Sequence, residues 1–166
     1  MRALLKRSLV ALAALTLPIA PAAAEQMREA ALPEIFETFN DCFAATESGG
    51  ISVASLEGRG WSRATLRSGD GEVIEGGPIF YGHAERAPII ILSTLEGQGV
   101  CMVNARIESF EVFEQFKQAF GGKLPPADDE GTITFMAEGR PVQIAPTGSR
   151  EAPALRLAVL TERESN

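Results

Sequence analysis

A chain of 166 residues with 22 acidic against 15 basic side chains and 45% hydrophobic residues suits one domain around one sizeable core. Its net charge of −7 opposes binding to phosphate backbones and to anionic lipid, so nucleic acid is not expected as a partner. A single histidine rules out a histidine-rich zinc cluster by count, and no metal or cofactor is expected.

Residues 1–24 read as a secretory signal peptide. Arg2, Lys6 and Arg7 form a basic start, Leu9 to Ile19 an apolar stretch interrupted by Pro18, and Ala22-Ala23-Ala24 a small-residue cleavage site before Glu25. The apolar stretch is too short to span a bilayer. Its removal takes away three bases and no acid, so the net charge moves from −7 to −10. The expectation is a periplasmic or secreted protein with no membrane insertion after cleavage, folded as one domain over 25–166. In that compartment Cys42 and Cys101, the two cysteines, are expected to form a disulfide; the alternative is two buried free thiols.

The first helix is predicted from Pro33 to Thr46. Ile35, Phe36, Phe39, Cys42 and Phe43 repeat at helical period on one face, so Cys42 points at the core. Ser48-Gly49-Gly50 ends it, and Ile51 to Glu57 is either a short second helix or irregular. Trp61 to Leu66 is a strand, Ser68-Gly69-Asp70-Gly71 a turn, and Glu72 to Ile74 and Pro78 to Tyr81 weaker strands. Ile89 to Leu95 and Val100 to Ile107 flank Glu96-Gly97-Gln98-Gly99 as a β-hairpin. Ile89-Ile90-Ile91-Leu92 lacks polar alternation, which predicts a strand covered on both faces. Ser109 is a candidate N-cap for a helix from Phe110 to Phe120, apolar along Val112, Phe113, Phe116, Ala119 and Phe120 and closed by Gly121-Gly122. After a surface loop from Leu124 to Gly131 come strands at Thr132 to Ala137, Val142 to Ile144 and Leu155 to Leu160, then a polar tail.

The two helices align residue for residue. Glu34 to Phe43 lies over Glu111 to Phe120, Glu75-Gly76-Gly77-Pro78-Ile79 over Glu138-Gly139-Arg140-Pro141-Val142, and Ala87-Pro88 over Ala152-Pro153. Chance similarity of amphipathic helices is the competing explanation. A duplication predicts an α+β fold: one antiparallel sheet with two amphipathic helices packed on one face, their phenylalanine stripes inward.

With Phe39-x-x-Cys42 in the first helix, Gly60-Trp61, and Cys101-x-Val103 ahead of the second, the chain resembles small alphaproteobacterial periplasmic proteins of no assigned function. The resemblance spans most of the chain beyond the signal. It implies an exported protein and brings no catalytic residue with it.

Several groups are candidates for chemistry. His83, with Tyr81 and Glu85 beside it, has the makings of a general base or ligand, against the commoner role of a surface-loop histidine. Trp61, Tyr81, Arg59 and Arg63 form an aromatic and guanidinium group suited to a small anion or a partner side chain, unless Trp61 is a core plug. Asp128-Asp129-Glu130 lacks the alternating spacing of a calcium loop and reads as a solvated turn. No phosphate-cradling loop, dinucleotide fingerprint or nucleophile elbow is present. The leading expectation is therefore a non-enzymatic protein that binds a protein or envelope ligand through the sheet face around Trp61. The alternatives are a small hydrolase or transferase using His83, or an inhibitor of a secreted enzyme. The last rests on the acidic charge and on analogy with tandem-repeat β-lactamase inhibitory proteins.

Overall fold

The computed structural model describes residues 27–161 apart from 48, 66, 69, 74 and 75, so the signal-peptide reading of 1–24 lies outside the described residues. The elements run α1 (Leu32–Ala45), α2 (Val53–Glu57), β1 (Trp61–Arg63), β2 (Ile79–His83), β3 (Ile89–Leu92) and β4 (Val100–Arg106). They continue with α3 (Phe110–Gln118), β5 (Ile133–Ala137), β6 (Arg140–Gly148) and β7 (Pro153–Leu160). The strands form one 7-stranded sheet in the order β1-β2-β3-β4-β7-β6-β5, with every neighbouring pair antiparallel. The fold is thus mixed α+β. Among the described residues no helix is long and apolar enough to cross a membrane.

Helix α1 starts on a proline in its first turn, and Glu34 reaches back to accept the Ala31 N–H at 2.9 Å, satisfying one of the donors a helix start leaves open. Its buried residues Ile35, Phe39 and Cys42 recur at helical period. Cys42 is bonded to Cys101 of β4, with Cα atoms 5.5 Å apart, which fastens the helix to the middle of the sheet. Residues directly across a ladder share a face. Cys101 faces Leu92 and Val159, Val103 faces Ile90 and Leu157, and all six are fully buried beneath α1. An aromatic row joins the second helix to this side. Phe36 stacks on Phe116 at 4.7 Å, Phe116 meets Phe120 at 5.3 Å, and Phe120 meets Phe135 of β5 at 5.9 Å.

Three strand expectations are corrected. Strand β3 is buried on one face and half-buried on the other, because Ile90 and Leu92 point to the helices while among the described residues no helix packs over Ile89 and Ile91. Pure isoleucine composition cannot separate those two cases. Strand β1 stops at Arg63, and within the expected Glu72 to Ile74 strand, whose Ile74 lies outside the described residues, Val73 forms an isolated bridge to Arg67. Strand β6 runs nine residues, since the pairing with β7 continues through Pro146 to Gly148. As expected, Ser109 is the N-cap residue of α3, held by extended backbone and without a side-chain cap bond.

The β5–β6 turn shows local sequence at work. Glu138 and Gly139 both have positive φ, 50° and 79°, the pairing a tight two-residue hairpin requires. Arg140 then leaves the turn and buries itself beside the end of α1. It donates to the Phe43 carbonyl at 2.6 Å and to Thr46 Oγ1 at 2.9 Å, and stacks 4.5 Å from the Phe43 ring. The guanidinium adds a charged donor to a carbonyl of the last helical turn, which also accepts from the Thr46 N–H at 3.1 Å, and lies at the negative end of the helix dipole.

Candidate functional site

Register brings the candidate residues together at the β1 edge. Trp61 lies opposite His83 and Arg63 opposite Tyr81, so all four belong to the side of the sheet that carries the helices. The Trp61 and His83 rings meet edge-on at 5.2 Å. The aromatic pair expected to face a ligand lies inside instead: Trp61 and Tyr81 are each 1% exposed. The reason is cover. Leu56 of α2, fully buried, and Asp41 of α1 close over this end of the sheet, leaving Arg59 and Arg63 as the exposed members of the group.

The group is organised by Asp41, a buried carboxylate that the sequence reading passed over. It accepts the Trp61 indole N–H at 2.9 Å and an Arg59 N–H at 3.4 Å. Arg86 also donates to it and reaches Glu37 at 3.4 Å. A buried charge is tolerated where opposite charge and hydrogen bonds surround it, and here two guanidiniums and an indole do so. The signal for Asp41 was an acidic residue next to Cys42, on the helix face that otherwise reads as apolar. Arg86, between two β-strands, carried none.

His83 is held by both of its ring nitrogens. The Glu85 backbone N–H donates to Nδ1 at 3.1 Å, and Nε2 lies 3.2 Å from the Arg59 carbonyl. The tautomer that satisfies both is the neutral ring with its hydrogen on Nε2. The ring fits because residue 60 is glycine. With φ at +90°, a Cβ on Gly60 would stand 2.8 Å from Nε2. Glu85 contributes its backbone to this contact, and its carbonyl accepts from Arg28 at 3.3 Å. Burial pushes the Tyr81 hydroxyl above its ordinary pKa, and the nearby Glu57 charge adds to that while Arg63 opposes it.

Chemically, the assembly is a clamp. It ties α1, β1 and the β2–β3 turn to one carboxylate, and its polar atoms answer one another. Among the described residues no group of three or more histidine, cysteine or acidic side chains is placed to hold a metal ion.

The opposite face of the sheet is different. Phe80, Ile91, Val100, Met102 and Leu160 lie side by side there, half-buried, and among the described residues no helix packs over them. None of the strand residues on this side is acidic. Its charges are Arg106, bridged to Glu29 at 3.6 Å, and Arg156, which is exposed. Comparison of the chain with family models, with curated proteins and with solved structures gives no match.

Proposed function

We propose that the chain is an exported, non-enzymatic binding protein that holds a protein partner against the open face of its sheet. The observation that carries this is the apolar row from Phe80 to Leu160, over which no helix packs among the described residues and whose strands carry no acidic side chain in a chain of net charge −7. Contiguous apolar surface with a polar rim favours a protein contact. The arginine charge selects an acidic rim on the other side. A second copy is a poor fit, because face-to-face stacking brings Arg156 toward its own counterpart and joins two acidic bodies. The disulfide is consistent with an oxidising compartment outside the cytoplasm.

Read as a duplication, the order of elements supports the same picture. A helix followed by an antiparallel run of strands occurs twice, α1 to β4 and α3 to β7, and the sheet order reads outward from the β4–β7 seam in both directions. On this reading the two amphipathic helices share one face, which leaves the whole of the other for a partner. An enzyme inhibitor is one form such a binder takes. The hydrolase or transferase alternative needs a free imidazole nitrogen, and both of His83's are engaged.

A photo-crosslinking residue at Met102 tests the reading against one at Val112 on α3. In cells exporting the protein, Met102 should give a discrete adduct that Arg156→Glu abolishes, and Val112 should not. Equal labelling from both positions would remove the open face from consideration.

A further inference from the structure

The sheet ends in two unlike edges. Strand β1 is three residues long and carries Arg63, whereas β5 is five residues, Ile133-Thr134-Phe135-Met136-Ala137, with no charge and no proline. Charge, proline and brevity are the usual protections of a sheet edge, and β5 lacks them. Met136 is 64% exposed.

The hairpin fixes which backbone groups are unused. In a two-residue hairpin the residues flanking the turn form a hydrogen-bonded pair, and bonded pairs then alternate along the ladder. With Glu138 and Gly139 as the turn, Ala137↔Arg140, Phe135↔Val142 and Ile133↔Ile144 are the bonded pairs. Met136 faces Pro141, which has no N–H to give, in agreement with that phase. The N–H and C=O groups of Thr134 and Met136 therefore point away from β6. Among the described residues no backbone bond outside the sheet reaches Ile133–Ala137.

Among the described residues the start of this edge carries unpaired acidic charge, whereas Glu138 at its far end is paired with Arg140 at 2.9 Å. Asp128 turns its carboxylate onto the Glu130 and Thr132 N–H groups, at 3.0 and 2.8 Å, and so holds Asp129 and Glu130 outward at the start of β5.

We propose that β5 receives an extended segment of another protein as an eighth, antiparallel strand, with basic residues at that segment's C-terminal end. Backbone pairing at Thr134 and Met136 supplies the attachment, and Asp129 and Glu130 read the basic end. An antiparallel guest is chosen because every pair in this sheet is antiparallel, and in that orientation its C-terminus lies beside the start of β5. A second copy brings no free base to that end, since pairing β5 with itself sets Glu138, already paired with Arg140, toward Asp129 and Glu130 of the other chain. This site is separate from the open face and stands or falls without it.

The probe is a synthetic peptide, acetyl-Thr-Val-Thr-Val-Thr-Lys-Lys-amide, titrated into the isotope-labelled protein while backbone amide resonances are followed. The Thr134 and Met136 amides should shift and exchange more slowly, and the peptide with both lysines moved to its N-terminus should bind about tenfold more weakly. Met136→Pro removes an outward N–H without touching the β6 ladder and should lose peptide binding while the remaining spectrum holds. Should that variant fail to fold, Asp129→Lys with Glu130→Lys changes two exposed side chains and should weaken the lysine peptide about tenfold. The proposal is overturned by shifts confined to the open face, by equal affinity for the two peptides, by binding that survives Met136→Pro, by affinity unchanged in the double-lysine variant, or by a peptide-free dimer that Met136→Pro dissolves.

Discussion

Replacing Asp41 with alanine tests whether the polar group beneath Trp61 is a structural clamp. The change removes the acceptor for a buried indole N–H and the counter-charge of Arg86 at once. A hydrogen bond to a charged group contributes about 1.5–3 kcal/mol when its partner is left buried and unsatisfied. The indole here is in that position, because Trp61 is 1% exposed and its bond to Asp41 is 2.9 Å long. Arg59 adds little, being 49% exposed with a 3.4 Å contact, and exposed pairs contribute about 0–1 kcal/mol. Arg86 lies between these limits at 21% exposure. Together they put Asp41→Ala about 2–4 kcal/mol below the parent, a large share of the roughly 5–15 kcal/mol that holds a domain together. Asp41→Asn keeps an oxygen for the indole and should lose about half as much. Denaturant unfolding followed by tryptophan emission is a clean assay, since Trp61 is the chain's single tryptophan. An alanine variant within about 0.5 kcal/mol of the parent, or an asparagine variant less stable than the alanine one, would refute this account of the clamp.

Two other perturbations follow from the same structure. Removing the disulfide with Cys42→Ser and Cys101→Ser opens a cross-link spanning 59 residues, for which chain entropy alone gives about 4 kcal/mol. The midpoint of denaturation should fall accordingly, and a drop below about 1 kcal/mol would show that the unfolded chain is not the state the bond constrains. Tyr81 is the single tyrosine, and its raised pKa means the folded chain keeps the phenol proton longer than the unfolded chain does. Its contribution to stability is therefore complete below the free tyrosine pKa of about 10 and is lost as pH climbs above it. Absorbance titration of the phenolate should give a midpoint above that of free tyrosine, and a midpoint at or below it would contradict the burial.

The parts of this fold that were legible are those set by periodicity. Ile35, Phe39 and Cys42 share a helical stripe, and Val100 to Ile107 alternates as a half-buried strand must, so α1, β4 and the sulfur bridge between them could be read directly. Glycine pairs and turn residues marked most of the breaks. What stayed hidden depends on neighbours distant in sequence. Ile89 and Ile91 look as buried as Ile90 until it is known that among the described residues no helix covers their side. Trp61 and Tyr81 suit a binding surface or a core equally well, and the β1–β2 register together with α2 decides for the core. Asp41 and Arg140 are charged residues with interior roles, which no local pattern announces. Each is explained by a partner, Trp61 for one and the end of α1 for the other.

β7, the last strand among the described residues, lies not at the margin of the sheet but at its centre, between β4 and β6. Synthesis from the N-terminus therefore produces two incomplete sheets with exposed rims before anything can join them. Joining the two waits on β7, and deleting Pro153–Leu160 would split the sheet down its middle rather than trim its border.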